Sequence, residues 1–171
     1  MARKVFFSFH HQYDSWRAGQ VRNSWLTKGT ENTFLDAASW ETVKKDGDAA
    51  VKAWIDRELL ETTVTVVLIG KHTASRKWVR YEIQESQKRG NGMLGVYIHG
   101  IKNQNQESNW FRGDNPFDAL VVKGTDSFFG LWDYETETKL SEMYPSYYWH
   151  DDNGRENLPS WVEEAAAKAS K

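Results

Sequence analysis

The chain has no cysteine. That excludes disulfide staples, thiolate metal sites and a cysteine nucleophile. No apolar run approaches the length of a membrane span, so no membrane partner is expected. The start, MARKVFFSFHHQ, is basic and then briefly apolar. It is too short for a signal peptide and lacks a small-residue cleavage site, so a cytoplasmic protein is expected. Positive charge is not in excess: the formal net charge is −2. Nucleic acid is therefore not the expected partner, because phosphate binding needs a basic face. There is no G-x-G-x-x-G after the first apolar run, no G-K-[ST] loop and no G-x-S-x-G. Rossmann, P-loop and hydrolase-elbow sites lose their support. The loop after the first strand carries no acidic pair, which disfavours a phospho-acceptor receiver domain.

Aromatic side chains are abundant: nine Trp, seven Tyr and eight Phe in 171 residues. Trp and Tyr bring polar atoms along with area, so some are expected in a pocket or interface and most in the core. The length fits one domain over residues 1–171, with an irregular elaboration at about 102–150.

The hydrophobic pattern alternates between strand and helix signals. Residues 4–9, KVFFSF, read as a buried strand. Asp14 or Ser15 is placed to cap a helix whose stripe is Ala18, Val21 and Trp25. Residues 33–37, TFLDA, read as a second strand, followed by a loop, ASWETVKKDGD. Asp48 is placed to cap a helix with Val51, Ile55 and Leu59 on one face. Residues 63–70, TVTVVLIG, are the strongest strand signal, β-branched and stopped by Gly70. Ser75 is expected to cap a helix that Gly90 closes. Residues 93–99, MLGVYIH, form a fourth strand. This β-α-β-α-β-α-β order predicts an α/β fold with a parallel sheet between helical layers. Ligands of such sheets sit at the carboxyl ends of the strands, which singles out loops 9–14, 36–47 and 70–76.

Beyond this, 102–118 reads as polar loop and 128–144 as a hairpin or two short strands. A fifth strand is expected within YPSYYWHDDNG. LPSWVEEAAAKAS reads as a C-terminal helix with Pro159 in its first turn and Trp161, Val162, Ala165 and Ala169 buried.

Three constellations can carry chemistry. Glu82 lies four residues after Trp78, so both share a helix face leaning toward the carboxyl end of strand 63–70. Its flanks, Trp78, Val79 and Ile83, make that face apolar, and Glu85 is the more exposed rival. Ser8, Phe9 and His10 stand at the end of the first strand and suit the wall of a nucleotide site. His10 and His11 are adjacent and point differently, so no metal site is expected. Asp36, Ser39 and Trp40 follow the second strand. A Trp on a loop exposes apolar area unless it meets a ligand, a neighbouring chain or its own domain.

The segments KVFFSF and SRKWVRYEI resemble the first box and the Ser–Trp–Glu pattern of TIR domains, with Ser75, Trp78, Val79, Glu82 and Ile83 in place. Val79 stands where many TIR domains carry Cys. The ordered set VFFSFH, DAASWE, VLIG, WVRYEI and NPFD is similar to TIR-like proteins of the bacterial Thoeris antiphage system, over roughly the first 120 residues. The resemblance implies a flavodoxin-like three-layer sandwich. It implies an enzyme that cleaves NAD+ at the nicotinamide–ribose bond, with NAD+ as substrate and no further cofactor. Glu82 falls on the family's catalytic glutamate. Ser8, Phe9, His10, Asp36, Ser39, Trp40 and Trp78 would bind NAD+. The product would be an ADP-ribose signal nucleotide, cyclic if a hydroxyl of the same molecule attacks. A separate effector would read it, a phage protein would trigger the enzyme, and the active form would be a homo-oligomer.

A second reading keeps the fold without catalysis: a scaffold that assembles through an exposed Trp40 loop, with Glu82 on the surface. A third is a deoxyribosyltransferase-like enzyme, which also places a Glu near a ribose.

Overall fold

The computed structural model describes residues 3–26, 32–33, 37–128, 130 and 132–169. A five-stranded parallel sheet forms the middle layer. In chain order its strands are β1 (Val5–Ser8), β2 (Asn32–Thr33), β3 (Val64–Ile69), β4 (Gly92–Tyr97) and, last, β7 (Ser146–Tyr148). In space they run β2-β1-β3-β4-β7. The chain leaves β1 in one direction for β2 and then crosses to its other side for β3. The β1/β3 boundary is therefore the switch point, where a crevice opens at the carboxyl edge. β1, β3 and β4 are buried at every position, as runs with so few polar residues require of strands covered on both faces.

Alternation along the strands divides the core. Phe7, Val66 and Leu94 point to one face, against α1 (His11–Leu26) and α6 (Gly154–Ala169). Val67, Ile69 and Met93 point to the other, against Val79 and Ile83 of α4 (Lys77–Lys88). Phe6 also points there, against Trp40 of α2 (Ala37–Lys45) and Trp54 and Ile55 of α3 (Asp48–Leu60). The predicted three-layer α/β sandwich is the observed one.

Several boundaries differ from expectation. α1 starts at His11, ahead of Asp14. The imidazole of His10 accepts the Tyr13 backbone N–H at 3.0 Å, and the His10 carbonyl accepts that of Asp14 at 2.9 Å. His10 thus does the capping, and Asp14 is buried inside the helix, 3.3 Å from the Arg17 guanidinium. The expected loop after the second strand is mostly the helix α2. Its stretch holds no Gly or Pro before Gly47, so nothing stops helix formation. The helix α4 begins at Lys77, with Arg76 at its cap position, and Ser75 does not cap it. The Ser75 hydroxyl donates instead to the His72 carbonyl at 3.0 Å, closing a 3-10 turn over Thr73–Ser75. Gly90 ends α4 with φ +74°, a conformation that favours glycine.

The elaboration after β4 contains a 3-10 turn at Pro116–Ala119 and an antiparallel hairpin of β5 (Val121–Phe128) and β6 (Trp132–Lys139). A short α5 (Leu140–Met143) leads into β7. The hairpin begins earlier than the sequence pattern suggests, because Val121 to Ser127 mix polar and β-branched residues without strict alternation. The last helix also starts earlier, at Gly154, so Pro159 lies inside it and Ala169 is exposed. Leu158 and Ala166 complete the buried stripe.

Candidate functional site

β1 ends at the switch point with Ser8, which is 1% exposed. From the opposite layer α4 presents Glu82, 2% exposed, and the Ser8 hydroxyl donates to its Oε2. The placement follows from sequence. Val79 and Ile83 anchor α4 in the core, and Glu82 shares their inward side. Burial pushes the Glu82 carboxyl up to about 8, while the Ser8 hydroxyl opposes that rise by stabilising the ionised form. Glu85, on the next turn, is less buried and pairs with Lys88 at 2.7 Å.

Glu82 lines a cavity of about 180 Å³. One wall is aromatic. The His11 ring lies between Phe9, at 4.1 Å between centroids, and Trp40, stacked at 4.3 Å with only 5° between planes. Trp40 in turn meets Trp54 edge-on at 6.1 Å. Trp78 also lines it, edge-on to Tyr81 and packed against the cluster that holds Trp40 and Trp54. Both histidines are held neutral. Burial, aided by nearby Arg76, lowers His10 to about 4. Burial, aided by His10, lowers His11 to about 3. The mouth is cationic, with exposed Lys44, Arg76 and Lys77 facing one exposed carboxylate, Glu41. Lys77 also pairs with Asp48 and lies 4.6 Å from the Trp78 ring centroid.

The tertiary structure thus brings Phe9, His10, Trp40, Trp78 and Glu82 to one cavity. Ser8 does not line it; its hydroxyl is taken up by Glu82. Asp36 lies outside the described residues, as does the Ser39 side chain. Trp40 is not an exposed loop residue. It is 6% exposed, on a helix, and folded onto its own domain, which removes the footing of an exposed Trp40 interface. Glu82 is likewise not on the surface.

His11, Lys44 and Arg76 were not foreseen as site residues. Lys44 was legible in principle, since it follows Trp40 by one helical turn once α2 is read as a helix. Among the described residues, no group of three or more His, Asp or Glu side chains is arranged to hold a metal ion. No helix there is long and apolar enough to cross a membrane.

A carboxylate buried beside a neutral aromatic wall, below a cationic mouth, suits a ligand with a cationic ring at one end and phosphates at the other. Known proteins resemble this chain to different degrees. The TIR domains of the activated Roq1 resistosome, which directly recognises the pathogen effector XopQ, overlay with a TM-score of 0.43 at 21% identity. That overlay covers 56% of this chain and 57% of theirs, too loose a likeness to carry weight. A Bacillus cereus (strain MSX-D12) protein with the provisional name cyclic ADP-D-ribose synthase ThsB1 is 37% identical over 194 aligned positions, covering 95% of this chain and all of the relative. The family model described as Thoeris protein ThsB, TIR-like domain, matches residues 6–103. The chain belongs to the ThsB family of Thoeris TIR-like proteins.

Proposed function

We propose that this protein cleaves NAD+ at the nicotinamide–ribose bond in antiphage defence and converts the ADP-ribosyl part into a signal nucleotide. The observation that carries this is Glu82, buried at the β1/β3 switch point and facing a small aromatic cavity with a cationic mouth. The relative named as a cyclic ADP-D-ribose synthase supports a cyclic product.

The chemistry needs one acid. The C1′–N1 bond breaks with its electron pair going to the pyridine nitrogen, so nicotinamide leaves neutral and needs no proton. Positive charge develops on the ribosyl ring, as in glycoside cleavage. The Glu82 carboxylate, ionised and close to that ring, stabilises it. A hydroxyl of the same molecule then attacks C1′ through its oxygen and loses its proton, closing a ring. Water attacking instead gives ADP-ribose. A cavity walled by Phe9, Trp40 and Trp78 disfavours water.

Ligand cavities that enclose a drug-sized molecule span roughly 300–1,000 Å³. The cavity here is smaller, at about 180 Å³. In this reading it takes the nicotinamide–ribose half, and Lys44 and Arg76 would meet the diphosphate. The adenylate half then needs another wall, which a second copy of the chain would supply. A separate effector that reads the nucleotide and a phage component that switches the enzyme on complete the proposal.

The test is incubation with NAD+ of protein purified from phage-infected cells, following nicotinamide release and identifying the nucleotide product by mass spectrometry. Release by the wild type and its loss in Glu82→Gln is the expected result. Equal release by both proteins would sink the assignment.

A further inference from the structure

We infer that His11 is a specificity-determining residue whose ring nitrogen Nε2 accepts a hydrogen bond from the carboxamide N–H₂ of the nicotinamide ring. The inference rests on the NAD+ reading of the cavity and adds a residue to it.

A buried imidazole needs partners for its nitrogens, because a polar atom taken out of water without one loses its hydrogen bonds uncompensated. His10 meets this by accepting the Tyr13 N–H. His11 does not. It is 9% exposed, its Nδ1 is buried without a hydrogen-bond partner, and no hydrogen bond among the described residues uses its ring. The ring is nonetheless held in place, between Phe9 and Trp40, on the wall of the Glu82 cavity. Nδ1 itself is sealed from the cavity, so the ring nitrogen a ligand can reach is Nε2, which also has no hydrogen-bond partner among the described residues and calls for one that arrives with the ligand.

The chemistry of that partner follows from the ring. A neutral imidazole offers one N–H and one lone pair, both in the ring plane. A carboxamide offers the complement, an N–H₂ and a C=O, nearly coplanar with the pyridine that carries it. Phe9, His11 and Trp40 form a wall of flat rings along which a pyridinium can lie. Neutrality matters here as well. An imidazolium would repel the positive ring, whereas the neutral form does not. Phosphates are poorer partners for this residue, since Lys44 and Arg76 stand at the mouth for them.

The experiment measures dissociation constants by calorimetry on Glu82→Gln protein, which holds the dinucleotide without turnover. Two ligands are compared: NAD+ and its 3-acetylpyridine analogue, in which a methyl replaces the amide N–H₂. His11→Phe keeps a flat ring in the stack and removes the hydrogen bond. The expected result is a loss of about tenfold for NAD+ and less than about twofold for the analogue. Equal losses for both ligands, or no loss for NAD+, would overturn the assignment to His11 while leaving the cavity's reading intact. Absence of NAD+ binding by Glu82→Gln protein would remove both. Should His11→Phe fail to fold, imidazole nitrogen NMR on Glu82→Gln protein decides. The His11 nitrogens shift with NAD+ and much less with the analogue if the inference holds, and equally with both if it does not.

Discussion

Ser8 donates its hydroxyl to Oε2 of Glu82 across seventy-four residues of sequence, and that contact ties the end of β1 to the middle of α4. It is also the described group that most directly favours the charged form of an acid which burial otherwise neutralises. The chemistry proposed for this cavity depends on that balance.

Activity is therefore expected to follow the ionisation of Glu82. With the carboxyl raised to about 8, only the minority ionised form acts at neutral pH. kcat/KM for nicotinamide release rises about tenfold per pH unit below that value and levels off above it. A bound pyridinium favours the carboxylate, so the kcat profile turns over at lower pH than kcat/KM. A flat profile from pH 6 to 9 would contradict the assignment.

Ser8→Ala removes the hydroxyl and lets the Glu82 carboxyl rise further. A hydrogen bond to a charged group contributes about 1.5–3 kcal/mol, equivalent to roughly one to two pH units. The rising limb of the pH profile moves up by that amount. Activity at pH 7 falls about tenfold or more and recovers as the pH is raised. A uniform loss at every pH would show instead that Ser8 acts on structure.

The same burial makes a stability prediction, with its sign set by linkage. In the unfolded chain Glu82 ionises near the ordinary 4.5; in the folded protein it holds its proton to about 8. Below 4.5 both states are protonated, and Glu82 carries no penalty. Between 4.5 and 8 the unfolded state loses its proton first, so the folded protein loses stability as pH rises, and above 8 the loss is complete. The Tm of Glu82→Gln should exceed that of the wild type at pH 8 and converge with it toward pH 4.5. Parallel melting profiles across that range would rule the effect out.

Trp40→Ala tests the correction made by the structure. A Trp stacked on His11 and edge-on to Trp54, and 6% exposed, should cost about 3–5 kcal/mol on truncation, measured by urea denaturation. A surface interface residue would cost less than about 0.5 kcal/mol in the same assay.

Two glycines are expected to behave oppositely. A methyl on Gly70 would sit 2.6 Å from the Asp14 carboxylate carbon, at a carboxylate already buried and paired with Arg17. Gly70→Ala should destabilise by about 3 kcal/mol. Gly19 lies within α1 with open space where a methyl would go. Gly19→Ala should stabilise by about 0.5–1 kcal/mol. Denaturant midpoints for the two variants decide both.

The sequence by itself determined the three-layer plan and pointed to the acid. Nearly continuous apolar runs at residues 5–8 and 64–69, each with a single polar residue, require cover on both faces, and helical stripes between them supply it. Spacing alone placed Glu82 on the inward side of its helix with Val79 and Ile83. Local signals were read less well where a side chain had two uses. Asp14 looks like a cap by residue type, yet it is buried with Arg17 while the ring of His10 caps the helix. Ser75 looks like a cap too, but its hydroxyl closes the preceding turn. Only the tertiary structure decided that Trp40 folds inward onto His11 and that Ser8 serves Glu82 before any ligand. It alone left the His11 ring without a partner at the cavity wall. Those relations join residues about thirty to seventy-four positions apart, and no periodicity encodes them. They depend on which side of the sheet each crossover takes, and packing of the whole core settles that.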